Sequence, residues 1–172
     1  IEVDEHKNIH TEGKSYNFPM VGQHNLKNAN AARLVCQELG INTDQYYESL
    51  MTFTGAKKRL QLLWKTNDQV AFLDFAHAPS KLKATVDSVK AWFPEKNLIA
   101  FFELHTFSSL NKTFLDQYAG TMDQADTAFV FFDDHTLKMK NLPELSTSQV
   151  KESFGRADLE VINNLETMHK VI

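Results

Sequence analysis

The stretch Val70-Ala71-Phe72-Leu73-Asp74-Phe75-Ala76-His77-Ala78-Pro79 decides the fold. Four apolar residues of strand length run into an acid, and five residues later a proline stands where a helix accepts it best, at its first position. Leu82, Val86, Val89 and Phe93 then recur at helical spacing. The same alternation continues downstream. Residues 98–102 and 127–132 are further apolar strand-like runs, separated by a helical pattern over 111–118. A third helix spans 146–154, a fourth run covers 159–162, and a last helix begins near Asn163. Strands alternating with helices predict an α/β domain, a doubly wound and mostly parallel sheet covered on both faces. Ligands of such sheets gather at the carboxyl ends of the strands, which here carry Asp74, Glu103 and Asp133-Asp134.

Upstream the rhythm differs. Residues 1–20 alternate weakly around Thr11-Glu12-Gly13-Lys14 and read as two short strands forming a hairpin. Leu26, Ala29, Ala32, Val35, Cys36 and Leu39 mark the inner face of a long helix that Gly40 ends, and Asp44 is expected to cap a second helix with Tyr47, Leu50 and Met51 inward. The polar, glycine-bearing segment Phe53-Thr54-Gly55-Ala56-Lys57-Lys58-Arg59 marks a domain boundary, dividing the chain into residues 1–56 and 57–172.

Composition narrows the class without naming a chemistry. The 172 residues are 42% apolar and 23% charged, the range of folded globular chains. A net charge of −4 leaves no basic footprint for nucleic acid. The thirteen phenylalanines, including the pairs Phe101-Phe102 and Phe131-Phe132, are expected in the core. Cys36, alone of its kind, excludes an internal disulfide and a cysteine metal cluster, and reads as a small core residue in a reducing compartment. No signal peptide or membrane-spanning run is evident, so a cytoplasmic location is expected, and the start at Ile1 suggests a piece of a longer product.

Three constellations carry possible chemistry. Gly22-Gln23-His24-Asn25-Leu26-Lys27-Asn28 reads either as a helix start capped by His24 or Asn25, or as a carboxamide grip on adenine, whose N6 and N7 edge matches an asparagine donor and acceptor. Asp74 is either a loop or capping carboxylate or an acceptor for a ribose diol, and His77 either a loop histidine or a phosphate neighbour. Arg59 is either solvated, as Lys57 and Lys58 beside it are read, or placed to swing against phosphates. The acid–histidine clusters Glu103-Leu104-His105 and Asp133-Asp134-His135 match no metal-ligand spacing, and no metal site is assigned. Their carboxylates suit a cationic group of a substrate.

Taken together, Gly22–Ala29, Phe53–Leu60 and Asp74–Pro79 resemble, in order and spacing, three motifs of the Mur ligase family. The resemblance covers the tail of the family's central ATP-binding domain and then its Rossmann-like C-terminal domain, with a closing strand and helix of that domain missing. It implies an ATP- and Mg²⁺-dependent ligase of peptidoglycan building: ATP phosphorylates a carboxylate of a UDP-N-acetylmuramoyl substrate, an amine attacks the acyl phosphate, and an amide forms. It implies Asn28 on the adenine with Asn25 and His24 in support, and Asp74 on the ribose. Arg59 becomes the catalytic group near the terminal phosphate. His77 matches a position often His in the family, and Glu103 and His105 lie where the incoming amine binds.

Within the family, Asp74-Phe75-Ala76-His77 is closest to the member that joins a ready-made L-Ala-γ-D-Glu-meso-diaminopimelate tripeptide to UDP-N-acetylmuramate, and next to the member that adds L-alanine. Ala78 replaces a second His of both, and Glu103–Ser109 replaces their Pro-His-Arg or Pro-Arg-Ser loop, departures that bear on the acceptor. The family's phosphate-cradling loop would lie upstream of Ile1, so these residues alone are expected to be inactive. A non-catalytic nucleotide- or protein-binding α/β module is the alternative of another class. A receiver domain with Asp74 as phosphoacceptor lacks its acidic pair.

Overall fold

The computed structural model describes residues 2–11 and 13–171. They fall into two compact units, Ile1–Phe75 and Ala76–Ile172.

In the first unit, β1 (Asn8–Thr11) and β2 (Lys14–Asn17) pair antiparallel, with Asn8 opposite Asn17. This is the expected hairpin; Glu12 of its turn lies outside the described residues. Helix α1 (Gln23–Glu38) follows, then α2 (Thr43–Met51). Tyr46 of α2 donates its hydroxyl to the Ala29 carbonyl of α1 at 2.5 Å, and Tyr47 stacks on Tyr16 of β2 at 5.3 Å. Lys14 bridges Asp44 at 2.9 Å and Glu48 at 3.2 Å. The Asp44 hydrogen bond holds the Lys14 ammonium well above its ordinary pKa, and the same bond lowers that of Asp44.

Two expectations fail here. Only Leu26 and Ala29 of α1 are buried, whereas Val35 and Leu39 are 60% and 74% exposed and Cys36 is half-buried. The apolar stripe therefore runs on past the packing that its first two turns receive. Asp44 sits in the first turn of α2, and Asn42 is the cap: its side chain accepts from the Gln45 amide while the Gln45 side chain accepts from the Asn42 amide. That reciprocal box satisfies two helix-end donors at once, which an acid one turn in cannot do.

A second hairpin, β3 (Gln61–Lys65) with β4 (Val70–Leu73), completes this unit. The run 70–73, expected in the parallel sheet, thus pairs antiparallel with a strand absent from the sequence reading. Leu62-Leu63-Trp64 are all exposed, with a register irregularity between Leu62 and Trp64, so the alternation that marks a half-buried strand is missing.

The second unit is the α/β domain the strand–helix rhythm predicts. Helix α3 (Pro79–Trp92) opens on its proline, and β5 (Ile99–Glu103) follows. Then come α4 (Lys112–Leu115), a 3₁₀ turn over Asp116–Tyr118, and β6 (Thr127–Phe131). Helices α5 (Asp134–Met139) and α6 (Thr147–Phe154) precede β7 (Glu160–Ile162) and α7 (Leu165–Val171). β5, β6 and β7 form a parallel sheet in that order, with Ile99 opposite Thr127 and Phe131 opposite Ile162.

One face of this sheet, Phe102, Val130 and Phe132 among it, buries into a core with Leu82 and Val86 of α3 and with Val150 and Phe154 of α6. Tyr118 packs between Phe102 at 5.4 Å and Phe154 at 5.2 Å. Each fully buried aromatic here stabilises the unit by roughly 1.5–3 kcal/mol. Neighbouring strand residues point oppositely, and the pair Phe101-Phe102 splits, whereas Phe131 and Phe132 are both buried. Phe102 is buried while Phe101 is 41% exposed, its ring near those of Phe129 and Phe131. The reading of all phenylalanines as core fails at such positions. At the mouth of the sheet, one Asp126 oxygen accepts from the Leu98 amide at 2.7 Å and from Lys90 at 2.9 Å, which fixes the starts of β5 and β6 together.

Candidate functional site

The residues Gly22–Asn28 form the opening of α1. Gly22 precedes it at φ 97°, a conformation that side chains resist. The helix has no side-chain cap. Asn25 turns back instead, its side-chain Nδ2 donating to the Val21 carbonyl at 2.7 Å, so it anchors the entering chain. The expectation that His24 or Asn25 caps the helix is therefore corrected. His24 is half-buried, and Asn28, one turn further on the same face, is exposed with its carboxamide engaged by none of the described residues.

Arg59 and Asp74 are brought together by the β3–β4 hairpin. Asp74 follows β4 and is half-buried; its Oδ2 accepts from the Leu60 amide at 2.7 Å. The next residue closes the ring of contacts, Phe75 donating its amide to the Lys58 carbonyl at 2.9 Å. Between these two ties the chain bends sharply. Lys58 has φ 55° and Leu60 φ 44°, left-handed conformations that cost on the order of 1–3 kcal/mol each in residues with side chains. Arg59, flanked by them, is exposed and forms no ion pair with the described residues. A free guanidinium on a braced turn is a group available to a phosphate or carboxylate.

Asp74 is thus partly a loop carboxylate, as the plainer of its two readings has it. Sequence reasoning missed its partner in bracing the turn: Gln61 Oε1 accepts from the Lys58 amide at 3.0 Å. The signal available was weak, a polar residue opening a strand that carries no alternation.

The other candidates lie in the second unit. His77 is half-buried, and its carbonyl accepts the Tyr118 hydroxyl at 2.7 Å. Burial pushes the Tyr118 phenol up to about 12. Glu103 ends β5 exposed, and His105 lies two residues beyond with Nδ1 3.4 Å from the Glu103 carbonyl and 4.0 Å from its carboxylate. The loop after them is closed on itself: Thr106 and the buried Ser109 exchange backbone-to-hydroxyl bonds of 2.9 and 3.0 Å. Asp133 caps α5 by accepting from the His135 amide at 3.0 Å, and Asp134 accepts from the Asn163 carboxamide at 3.1 Å. Those carboxylates have structural partners. Among the described residues no group of three or more His, Cys, Asp or Glu is arranged to hold a metal ion, and no helix is long and apolar enough to cross a membrane.

Residues 58–171 match the family model described as the Mur ligase, glutamate ligase domain. The chain belongs to this family. This Mur ligase segment is similar to the UDP-N-acetylmuramate–L-alanine ligase of Lactococcus lactis subsp. lactis, 35% identical over 112 residues, which cover 65% of the chain and 25% of that ligase. It is similar also to the enzyme of that name from Lactiplantibacillus plantarum, 34% identical over 115 residues, 67% of the chain and 26% of the relative. The chain therefore spans about a quarter of the length of these relatives.

Among solved structures, a UDP-N-acetylmuramate–alanine ligase from Thermotoga maritima superposes over 92% of this chain and 34% of its own, with a TM-score of 0.70 and 20% identity. A murein peptide ligase from Psychrobacter arcticus gives a TM-score of 0.54 at 23% identity over 92% of this chain and 33% of its own length. Both show a shared fold.

Proposed function

We propose that this chain is the C-terminal part of an ATP-dependent amide ligase that joins an amine acceptor to the carboxylate of UDP-N-acetylmuramate. The observation that carries the reading is the braced turn at Arg59, a free guanidinium within the segment that matches the family. In this reading residues 1–56 end the central ATP-binding domain, residues 57–172 are the C-terminal ligase domain, and alone they do not turn over.

The residues present suit a nucleotide. Asn28 offers a donor and an acceptor on an exposed helix face, Arg59 offers a cation, and Asp74 a carboxylate, one oxygen of which serves Leu60. Bound ATP would supply the phosphoryl group that activates the muramoyl carboxylate. Arg59 neutralises charge on that group, Asn28 orients the base with His24 beside it, and Asp74 receives the ribose hydroxyls. Asn25 serves by anchoring the helix mouth. His77 lies at the entrance to α3, and Glu103 with His105 faces the ammonium of the acceptor. No step here calls on covalent catalysis, as expected for phosphoryl transfer, where positioning and charge do most of the work. Among the described residues no acidic cluster suits a Mg²⁺ cage, so a bound Mg²⁺ would be held by groups outside them, where it would offset phosphate charge.

The acceptor has two readings. Identity of 34–35% with L-alanine ligases favours L-alanine. The Asp74-Phe75-Ala76-His77 string favours the tripeptide. The full-length protein, given UDP-N-acetylmuramate, ATP and equal amounts of both acceptors, is expected to form an amide with L-alanine, read as product mass. Predominant tripeptide product selects the second reading, and no amide with either refutes both.

A further inference from the structure

The turn that carries Arg59 has every amide accounted for from within. Lys58 donates to Gln61 Oε1 at 3.0 Å, Arg59 to the Ala56 carbonyl at 3.2 Å, and Leu60 to Asp74 Oδ2 at 2.7 Å. Successive amides in such a turn can make an anion-binding hollow, but here all three are occupied. Anion recognition at this turn falls to side chains, the Arg59 guanidinium with the exposed ammonium groups of Lys57 and Lys58 beside it, and the aim of the arginine depends on the backbone that bears it. That backbone is left-handed at both Lys58 and Leu60, neither a glycine, so it persists only while its ties hold.

We propose that Gln61 is a positioning residue of the ligase: its side-chain carbonyl holds the Lys58 amide, fixes the left-handed turn, and so aims Arg59 at the phosphoryl group being transferred. The inference rests on the reading of Arg59 as the phosphate contact. Leu60 is buried and anchors the far side of the turn, and Asp74 ties the same residue to the end of β4. On the near side the ties at Lys58 are Gln61 and the carbonyl bond to Phe75, with the Arg59 amide held by the Ala56 carbonyl. Lys58 is exposed, so water can solvate its amide once Gln61 is gone. The fold then survives while the arginine loses its direction. Misplacement of a charge-stabilising group lowers turnover more than it lowers substrate affinity.

The test is steady-state phosphate release by the full-length ligase, with kcat, KM for ATP and thermal midpoint measured for each variant. Arg59→Ala and Gln61→Met are each expected to lower kcat by about tenfold or more, with KM for ATP moving about twofold and the midpoint of Gln61→Met by only a few degrees. Adding Lys58→Gly to Gln61→Met is expected to restore at least half of the lost turnover, because glycine takes φ 55° without a side-chain penalty. A normal kcat in Gln61→Met beside a depressed one in Arg59→Ala overturns the positioning role and leaves the arginine reading standing. A normal kcat in Arg59→Ala removes both. Loss of turnover in Gln61→Met with a collapsed midpoint and no rescue by glycine assigns Gln61 to stability alone and overturns the proposal.

Discussion

Asn28 and Asp74 make opposite demands on a mutational experiment. Asn28 is exposed in the second turn of α1, a position where asparagine is a poorer helix former than alanine. Asn28→Ala is expected to raise stability by about 0.5 kcal/mol and yet raise the KM of the full-length ligase for ATP. Denaturant unfolding and ATP titration read the two separately, and an unchanged KM removes the adenine assignment. Asp74→Ala leaves the Leu60 amide without its acceptor in a half-buried turn and is expected to cost about 1–3 kcal/mol. Asp74→Asn keeps a carbonyl acceptor there and is expected to recover most of that stability while still weakening nucleotide binding. Full nucleotide affinity in Asp74→Asn confines the residue to bracing the turn.

Elements follow their own end signals where those signals are reciprocal. Helix α6 starts at Ser146, whose hydroxyl accepts from the Gln149 amide at 3.2 Å while the Gln149 side chain accepts from the Ser146 amide at 3.1 Å. Ser146→Ala is expected to cost about 1 kcal/mol by chemical denaturation. The same box at Asn42–Gln45 was legible in principle, since Asn followed three residues later by Gln precedes α2. Asp44 obscured it because an acid in a first turn favours the helix field without capping the chain. Strand signals behaved in the same graded way. Residues 98–102 and 127–132 announce β5 and β6 nearly to the residue because both runs are continuously apolar, although only β6 is largely buried. The strand Gln61–Lys65 gives a weaker signal, three apolar residues between polar ends, and is exposed along most of its length.

For the molecule as a whole, the sharpest solution test is alkaline. Tyr118 is fully buried, and its phenol is raised from an ordinary value near 10 to about 12. Its contribution is fully present below pH 10, because both folded and unfolded chains then hold the proton. Between pH 10 and 12 the unfolded chain ionises first, so stability falls across that window. Unfolding free energy measured at several pH values is expected to drop there in the native protein, and to drop less in Tyr118→Phe. That variant also removes the hydrogen bond to the His77 carbonyl, at a cost of about 1 kcal/mol at neutral pH.

The order of residues by itself determined the α/β class, the parallel strands of the second unit, the helix that opens on Pro79, and the family. The first three follow from periodicity and local chemistry, which a linear reading retains, and the family from the resemblance of three motifs. Tertiary structure alone decided that α1 buries only its first turns, that residues 70–73 pair with a neighbour rather than enter the parallel sheet, and that Asp74 and Gln61 clamp the bend bearing Arg59. Each of those depends on which distant groups meet and on two left-handed backbone angles in ordinary residues. Neither is written in any local pattern, because the energy that holds them comes from partners up to seventeen positions away along the chain.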